Sequence, residues 1–227
     1  MDFQQGLITT IHEYGIKKDL INELNKGLKN RPTAILIPCL YEEFERPALK
    51  SIREVLKNLN GLNELVIALS AKSKEQVISA KSFFESMPFP VHLQWTNSPS
   101  VIELLKSQER NGLELLGTPG KGWAVWQGIG VATRRSEVVA LFDADIRTFS
   151  SLYPSKMILP LLDDSYGISY VKAFYSRLSL ETNELQGRAT RLFVGPLLAS
   201  LEQLVGKGPF LQYLQSFRYP LAGEFAF

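Results

Sequence analysis

Asp143 and Asp145, separated by one small residue, close the apolar run Val138-Val139-Ala140-Leu141-Phe142. Carboxylates are hard oxygen ligands suited to Mg²⁺ or Mn²⁺, and Mg²⁺ is usually held by one or two of them together with substrate phosphates. Alternate strand residues share a face, so aspartates two apart point the same way from a strand's end. The chemistry implied is the handling of a nucleotide diphosphate. A solvated turn, where Asp is common, is the plainer alternative. The preceding segment weighs against it: Thr118-Pro119-Gly120-Lys121-Gly122 is a compact Pro/Gly loop, and a helix is expected from Trp123 to Thr133. The glycines let backbone approach a ligand, Lys121 supplies a mobile cation, and a helix N-terminus favours an anion. The nucleotide P-loop pattern G-x-x-x-x-G-K-[ST] is absent.

These groups need a frame, and the apolar pattern supplies one. Residues 33–38, 64–70 and 91–95 read as buried strands, and helices are expected over about 47–59, 74–86 and 101–116. Near-continuous apolar strands suit a parallel sheet covered on both faces. Strands alternating with helices imply βαβ units in an α/β fold with an open, mostly parallel sheet flanked by helices. Such sheets bind ligands beyond the carboxyl ends of their strands, near a topological switch point. Residues 38–43, 70–73 and 143–145 all fall at those ends. Further expectations are a helical arm over 5–29, a long strand over 166–175 and an amphipathic helix over 191–205. The domain division expected is an arm at 1–32 and a body at 33–227. Trp123 and Trp126, at helical spacing, read as core.

Composition narrows the class. The chain has 227 residues, 45% hydrophobic, enough for a sizeable core, and its formal charge of +2 argues for no nucleic-acid partner. The single cysteine, Cys39, excludes an intramolecular disulfide and reads as a small buried hydrophobe. With only His12 and His92, a His-based zinc site or a Ser-His-Asp triad is not expected. No membrane span and no signal peptide is read from the chain, so a cytoplasmic location is expected.

The ordered set P-x-L-x-E-E (38–43), PGKG (119–122), D-x-D (143–145), V-K-x-F-Y (171–175), G-R-x-T (187–190), P-L-L (196–198) and P-L-x-G-E (220–224) resembles the glucosyl-3-phosphoglycerate synthases. The resemblance implies a GT-A-type nucleotide-sugar-binding fold over residues 33–227. It implies transfer of glucose from UDP-glucose (GDP-glucose in some members) to 3-phospho-D-glycerate, with retention and with Mg²⁺ or Mn²⁺. A homodimer is the family's common assembly. By the same resemblance Pro38, Leu40, Glu42, Ser70, Gly120, Lys121 and Asp143 bind the nucleotide sugar, and Asp145 is the metal ligand. Gly187, Arg188 and Thr190 clamp the acceptor's phosphate and carboxylate. Leu221 and Glu224 line the transferred glucose and, with Asp145, form the catalytic set.

Plainer readings stand beside these roles. Glu42 and Glu43 fit a solvated lead-in to a helix, Arg188 fits a helix-start residue paired with Glu181 or Glu184, and Glu224 fits a surface residue beside a glycine turn. The turn Ser70-Ala71-Lys72-Ser73 also departs from the acidic turn common in related enzymes. The family pattern extends past P-L-x-G-E, so a C-terminally truncated form is expected. The alternatives are therefore a mannosyl- or glucosylglycerate synthase acting on free glycerate, a catalytically weak binding module, or a nucleotidyltransferase.

Overall fold

The structure, a computed structural model, describes residues 3–5, 8–11, 19–109, 115, 117, 119–174, 190–208, 211 and 221–227. In chain order the elements begin with strands β1 (Phe3–Gln5) and β2 (Ile8–Thr10), helix α1 (Leu20–Asn30), strand β3 (Thr33–Leu40) and helix α2 (Pro47–Leu56). Strand β4 (Glu64–Ser70), helix α3 (Lys74–Phe83), strand β5 (Val91–Trp95) and helices α4 (Pro99–Gln108) and α5 (Lys121–Ala132) follow. Strand β6 (Val138–Leu141), helix α6 (Leu152–Leu162), strand β7 (Val171–Phe174), helix α7 (Gly195–Val205) and strand β8 (Leu221–Ala226) complete the described elements.

The chain divides into two compact units, residues 18–171 with 224–227, and residues 1–17 with 172–223. The larger unit holds strands β3, β4, β5 and β6 and the end of β8. β3 pairs parallel with β4 on one side and with β6 on the other, and β4 pairs parallel with β5. Within this unit the strand order is β5-β4-β3-β6, with the end of β8 beside β6. The chain thus moves outward from β3 through β4 to β5, then returns to the other side of β3 with β6. That reversal is the switch point at which open α/β sheets form a crevice.

Strand alternation sorts the apolar residues onto two faces. Ala34, Leu36, Val66, Ala68, Val139 and Leu141 meet Ala124 and Ala132 of α5 in one buried cluster. The helix lies close because its sheet-facing residues are small: a Cβ at Gly128 would come within 2.4 Å of Leu36 Cδ1 and 3.2 Å of Ala68 Cβ. Ile35, Ile37, Leu65, Ile67 and Leu69 alternate with that set and are fully buried. Each such side chain contributes about 1.5–3 kcal/mol on leaving water, so the two-sided strands carry much of the fold's stability.

Helix starts follow local capping chemistry. Ser73 Oγ accepts from the Gln76 N–H to open α3, and Ser98 Oγ accepts from Val101 with Pro99 in the first turn of α4. The Ser98 cap sets α4 off at Pro99, and the helix ends at Gln108, where periodicity alone extended it to 116. The long strand expected over 166–175 is shorter. Asp163 Oδ1 accepts from the Ser165 N–H at 3.0 Å to hold a 3₁₀ turn at Asp164–Tyr166, and Gly167 follows with φ of 58°. The strand begins only at Val171.

In the smaller unit, Phe3–Gln5 and Ile8–Thr10 pair antiparallel, with Phe3 opposite Thr10, where a helical arm was expected from residue 5. The β-branched Ile8-Thr9-Thr10 favours a strand. A π-turn at Thr190–Val194 leads into α7, which has Leu198 as its buried residue. Among the described residues no helix is long and apolar enough to cross a membrane.

Candidate functional site

A cavity of about 390 Å³ opens at the switch point, beyond the carboxyl ends of the parallel strands. Each wall is the continuation of one strand or the start of one helix. β3 contributes Pro38, Cys39 and Leu40, with Glu43 from the 3₁₀ turn that follows. β4 contributes Ala68 and Ser70, and the end of β5 contributes Thr96 and Asn97. The first turn of α5 contributes Lys121, Trp123 and Ala124, behind Pro119 and Gly120. Asp143, Ala144 and Asp145 follow β6. Of the residues expected to hold a nucleotide sugar, Pro38, Leu40, Ser70, Gly120, Lys121 and Asp143 therefore share one cavity, together with Asp145, the expected metal ligand.

At one end, Lys121 Nζ meets Asp143 Oδ1 at 2.5 Å. The Asp143 side chain is only 16% exposed, while Lys121 is half exposed, so the ammonium reaches a carboxylate set into the wall. Gly120 precedes the helix in extended conformation, and Ala124 N–H closes the first turn onto Gly120 O at 3.1 Å. The earlier N–H groups of a helix start lack intrahelical acceptors and carry the positive end of its dipole. An anion in this part of the cavity would meet a lysine and a helix N-terminus together. Asp145 is exposed, one residue beyond buried Ala144.

The opposite end is built by the turns after β3 and β4. Glu42 does not line the cavity; its Oε1 accepts from Lys72 Nζ at 2.7 Å. That hydrogen bond holds the Glu42 carboxyl below its ordinary value and raises the Lys72 ammonium above its own. Neighbouring Glu43 turns inward, with Oε1 on Arg46 Nη1 at 2.6 Å and Oε2 buried without a hydrogen-bond partner among the described residues. Cys39 is 4% exposed, and burial first, then the charges of Glu43 and Glu42, pushes its thiol far above the ordinary value. It is a wall atom that stays protonated, as its reading as a small hydrophobe requires.

Sequence reasoning missed Thr96, Asn97 and Trp123 as walls. The signal for the first two was present, since they follow the third strand as directly as Ser70 follows the second. Trp123 and Trp126 depart from the core expectation. Trp123 lines the cavity and Trp126 is 50% exposed, because close packing on the sheet reserves the inner face of α5 for Ala124, Gly128 and Ala132.

Glu224 lies in β8 and is 1% exposed; it is not among the cavity's walls, and no glycine turn isolates it at the surface. Beside it, Phe225 and Ala226 pair antiparallel with Leu141 and Ala140 of β6. Leu221 opens β8, and Thr190 opens the π-turn before α7. Gly187 and Arg188 lie outside the described residues.

No protein-family model matches the chain. The chain is 38% identical over 227 residues to the glucosyl-3-phosphoglycerate synthase of Methanococcoides burtonii, covering all of this chain and 56% of that protein. It is 34% identical over 229 residues to the enzyme of the same name from Persephonella marina, covering 99% of this chain and again 56% of the relative. The chain thus spans little more than half the length of these curated relatives. Among solved structures, glucosyl-3-phosphoglycerate synthase from Mycobacterium tuberculosis with phosphoglyceric acid superposes with a TM-score of 0.59 at 26% identity, over 96% of this chain and 62% of that one. The same enzyme with Mn²⁺, UDP-glucose and phosphoglyceric acid gives 0.59 at 25% identity, over the same shares. The fold is the expected α/β, GT-A-type one, and the chain resembles glucosyl-3-phosphoglycerate synthases along its whole length.

Proposed function

We propose, from this similarity together with the cavity's chemistry, that the chain acts in the transfer of glucose from a nucleotide sugar, UDP-glucose favoured, to 3-phospho-D-glycerate. The observation that carries the reading is the meeting of Lys121 with Asp143 at the switch point, beside Asp145. The two motifs lie 22 residues apart in sequence and face each other only in the fold.

The donor set fits a shared divalent ion such as Mg²⁺ or Mn²⁺. Asp145, with Asp143 beside it, offers hard oxygen ligands, and no cluster of three or more metal-binding side chains occurs among the described residues. A small divalent cation held by one or two carboxylates takes its remaining oxygens from phosphates and water. Such an ion, when bound, would neutralise charge on the departing diphosphate. Lys121 and the free N–H groups at the start of α5 would receive the same charge from the protein side. Cys39, Ala68 and Ala124 are buried, apolar parts of the cavity wall. Retention is read as front-face attack assisted by the departing phosphate, with Gly187, Arg188 and Thr190 holding the acceptor, as the resemblance implies. Nucleotide sugar and phosphoglycerate are both cytoplasmic metabolites in this reading.

Calorimetric titration of UDP-glucose with and without Mn²⁺ tests the proposal. Binding is expected to require the metal and to fall by about 100-fold or more, ~2.7 kcal/mol, in Asp145→Ala. Metal-independent binding that survives Asp145→Ala would remove the reading. GDP-glucose as competitor reports the preferred base, and free glycerate against 3-phosphoglycerate reports the acceptor.

A further inference from the structure

The register of β4 on β5 ends with Leu69 opposite Trp95. Just beyond, Thr96 N–H and Thr96 Oγ1 both donate to Leu69 O, at 2.9 and 3.0 Å. The next step of that register belongs to Ala71 and Asn97, which keep the same 26-residue spacing. There a side chain replaces a strand backbone. Ala71 N–H donates to Asn97 Oδ1 at 3.1 Å, and Asn97 Nδ2 donates back to Ala71 O at 2.9 Å. A carboxamide carries the donor and acceptor of a peptide group, so the ladder runs one step past the sheet. Trp95 Nε1 supplies a second donor to Ala71 O at 3.0 Å. Ala71 is buried, and a buried peptide group needs its partners.

The end of β5 is also tied to α5. Gln127 of that helix is buried; its Nε2 donates to Thr96 O at 3.2 Å, and its Oε1 accepts from Gln94 Nε2 at 3.3 Å. Ser98, directly after Asn97, caps α4. Thr96 and Asn97 thus join the turn after β4, at one end of the cavity, to α5, whose first turn carries Lys121 at the other. Strand pairing alone does not make this connection, because the turn has left the sheet and α5 packs on its face.

We propose that Asn97 is a positioning residue that sets the span of the cavity, holding the turn after β4 at a fixed separation from the start of α5. The proposal rests on the function proposed above and deepens it. A ligand that reaches across both ends depends on their separation, and one that occupies a single end does not. A wall fixed in advance spares the ligand the cost of ordering it, so the spanning ligand gains most.

The test uses the whole chain with Mg²⁺, well below its melting temperature, and compares two ligands by calorimetry. UDP spans both ends, and inorganic pyrophosphate fills only the phosphate end. Asn97→Ala is expected to weaken UDP by about tenfold and to leave pyrophosphate within about twofold of wild type. Trp95→Phe keeps an aromatic ring and removes one of the two donors to Ala71 O; it should weaken UDP by about threefold, with pyrophosphate again unchanged. Trp95 is not a wall of the cavity, so this second variant separates positioning from direct contact. A UDP loss in Asn97→Ala with none in Trp95→Phe overturns the proposal. A merely structural role lowers both affinities together or leaves both alone, and either result overturns it too. So does wild type that binds UDP but not pyrophosphate, since the phosphate end would then have no binding of its own. If Asn97→Ala does not fold, Trp95→Phe decides by the same ratio. Wild type that fails to bind UDP removes the proposed function, and the proposal with it.

Discussion

Strand β4 begins at one charge cluster and ends at another, and the two are built in opposite ways. At its start Glu64 is 2% exposed, with Oε1 accepting from Ser136 Oγ at 3.0 Å and Oε2 3.1 Å from His92 Nε2. Asn63 Nδ2 donates to Ser136 Oγ at 2.9 Å and to Arg135 O at 3.0 Å. Both oxygens of Glu64 are engaged, and the network ties β4 to β5 and to the turn before β6. At the far end the Glu42–Lys72 and Lys121–Asp143 pairs each hold one carboxylate oxygen and leave lysines half or more exposed. Residue types are shared, but the environment differs. Where water is excluded an unpartnered buried charge is expensive, and the two engaged oxygens of Glu64 meet that demand. Glu43 beside the cavity keeps one buried oxygen without a partner among the described residues. Where water enters, a pair remains open to exchange with a ligand. The amino end of the sheet is scaffold, and the carboxyl end is available for chemistry.

The largest effect that would break this contrast is at Glu64. Glu64→Ala should cost about 3 kcal/mol in urea unfolding, as expected on removing one partner from a buried, hydrogen-bonded charge network. The remaining folded protein should bind UDP as wild type does. Loss of nucleotide affinity in a fully folded Glu64→Ala sample would mean that the amino end is more than scaffold.

A smaller effect is expected at Lys121. Lys121→Met should weaken UDP binding by about tenfold, ~1.4 kcal/mol, through loss of a charge-assisted contact to phosphate, and leave the melting temperature within about 2 °C. A stability loss larger than the affinity loss would reassign the Lys121–Asp143 pair to the scaffold.

Cys39 sharpens the comparison with the smallest effect, because it is a buried group inside the open end. The native protein should react with iodoacetamide at pH 8.5 at least about tenfold more slowly than the urea-unfolded chain, since only the thiolate attacks. Its native pKa lies above that of the unfolded thiol. The stability linked to it is therefore complete below the ordinary thiol pKa and declines as pH rises above that value. A native thiol as reactive as the unfolded one would show that the wall at Cys39 is open to water.

Much of the larger unit was legible because its signals are local. The apolar runs 33–38, 64–70 and 138–142 could only be two-sided strands, and the residues after them had to fall at one rim. Pro38, Leu40, Ser70, Lys121, Asp143 and Asp145 reach the cavity for that reason. The strand at Ile8–Thr10 was readable in its β-branched residues but was outweighed by an apolar spacing that also fits a helix. The strand at 221–226 gave no comparable signal, since Leu221-Ala222-Gly223-Glu224 has no strand pattern of its own, and its end pairs with Leu141 and Ala140.

The sequence by itself determined which residues stand at the ends of strands and helices, because alternation, capping and chain breaks act over a few neighbours. The tertiary structure alone decided which of them face one another. Strand order placed β3 between β4 and β6, bringing Lys121 to Asp143 and Lys72 to Glu42. Close helix packing turned Trp123 toward the cavity and enclosed Cys39 and Glu43. Such contacts join residues 22 to 30 positions apart, so they depend on the sheet's assembly rather than on any short stretch of chain.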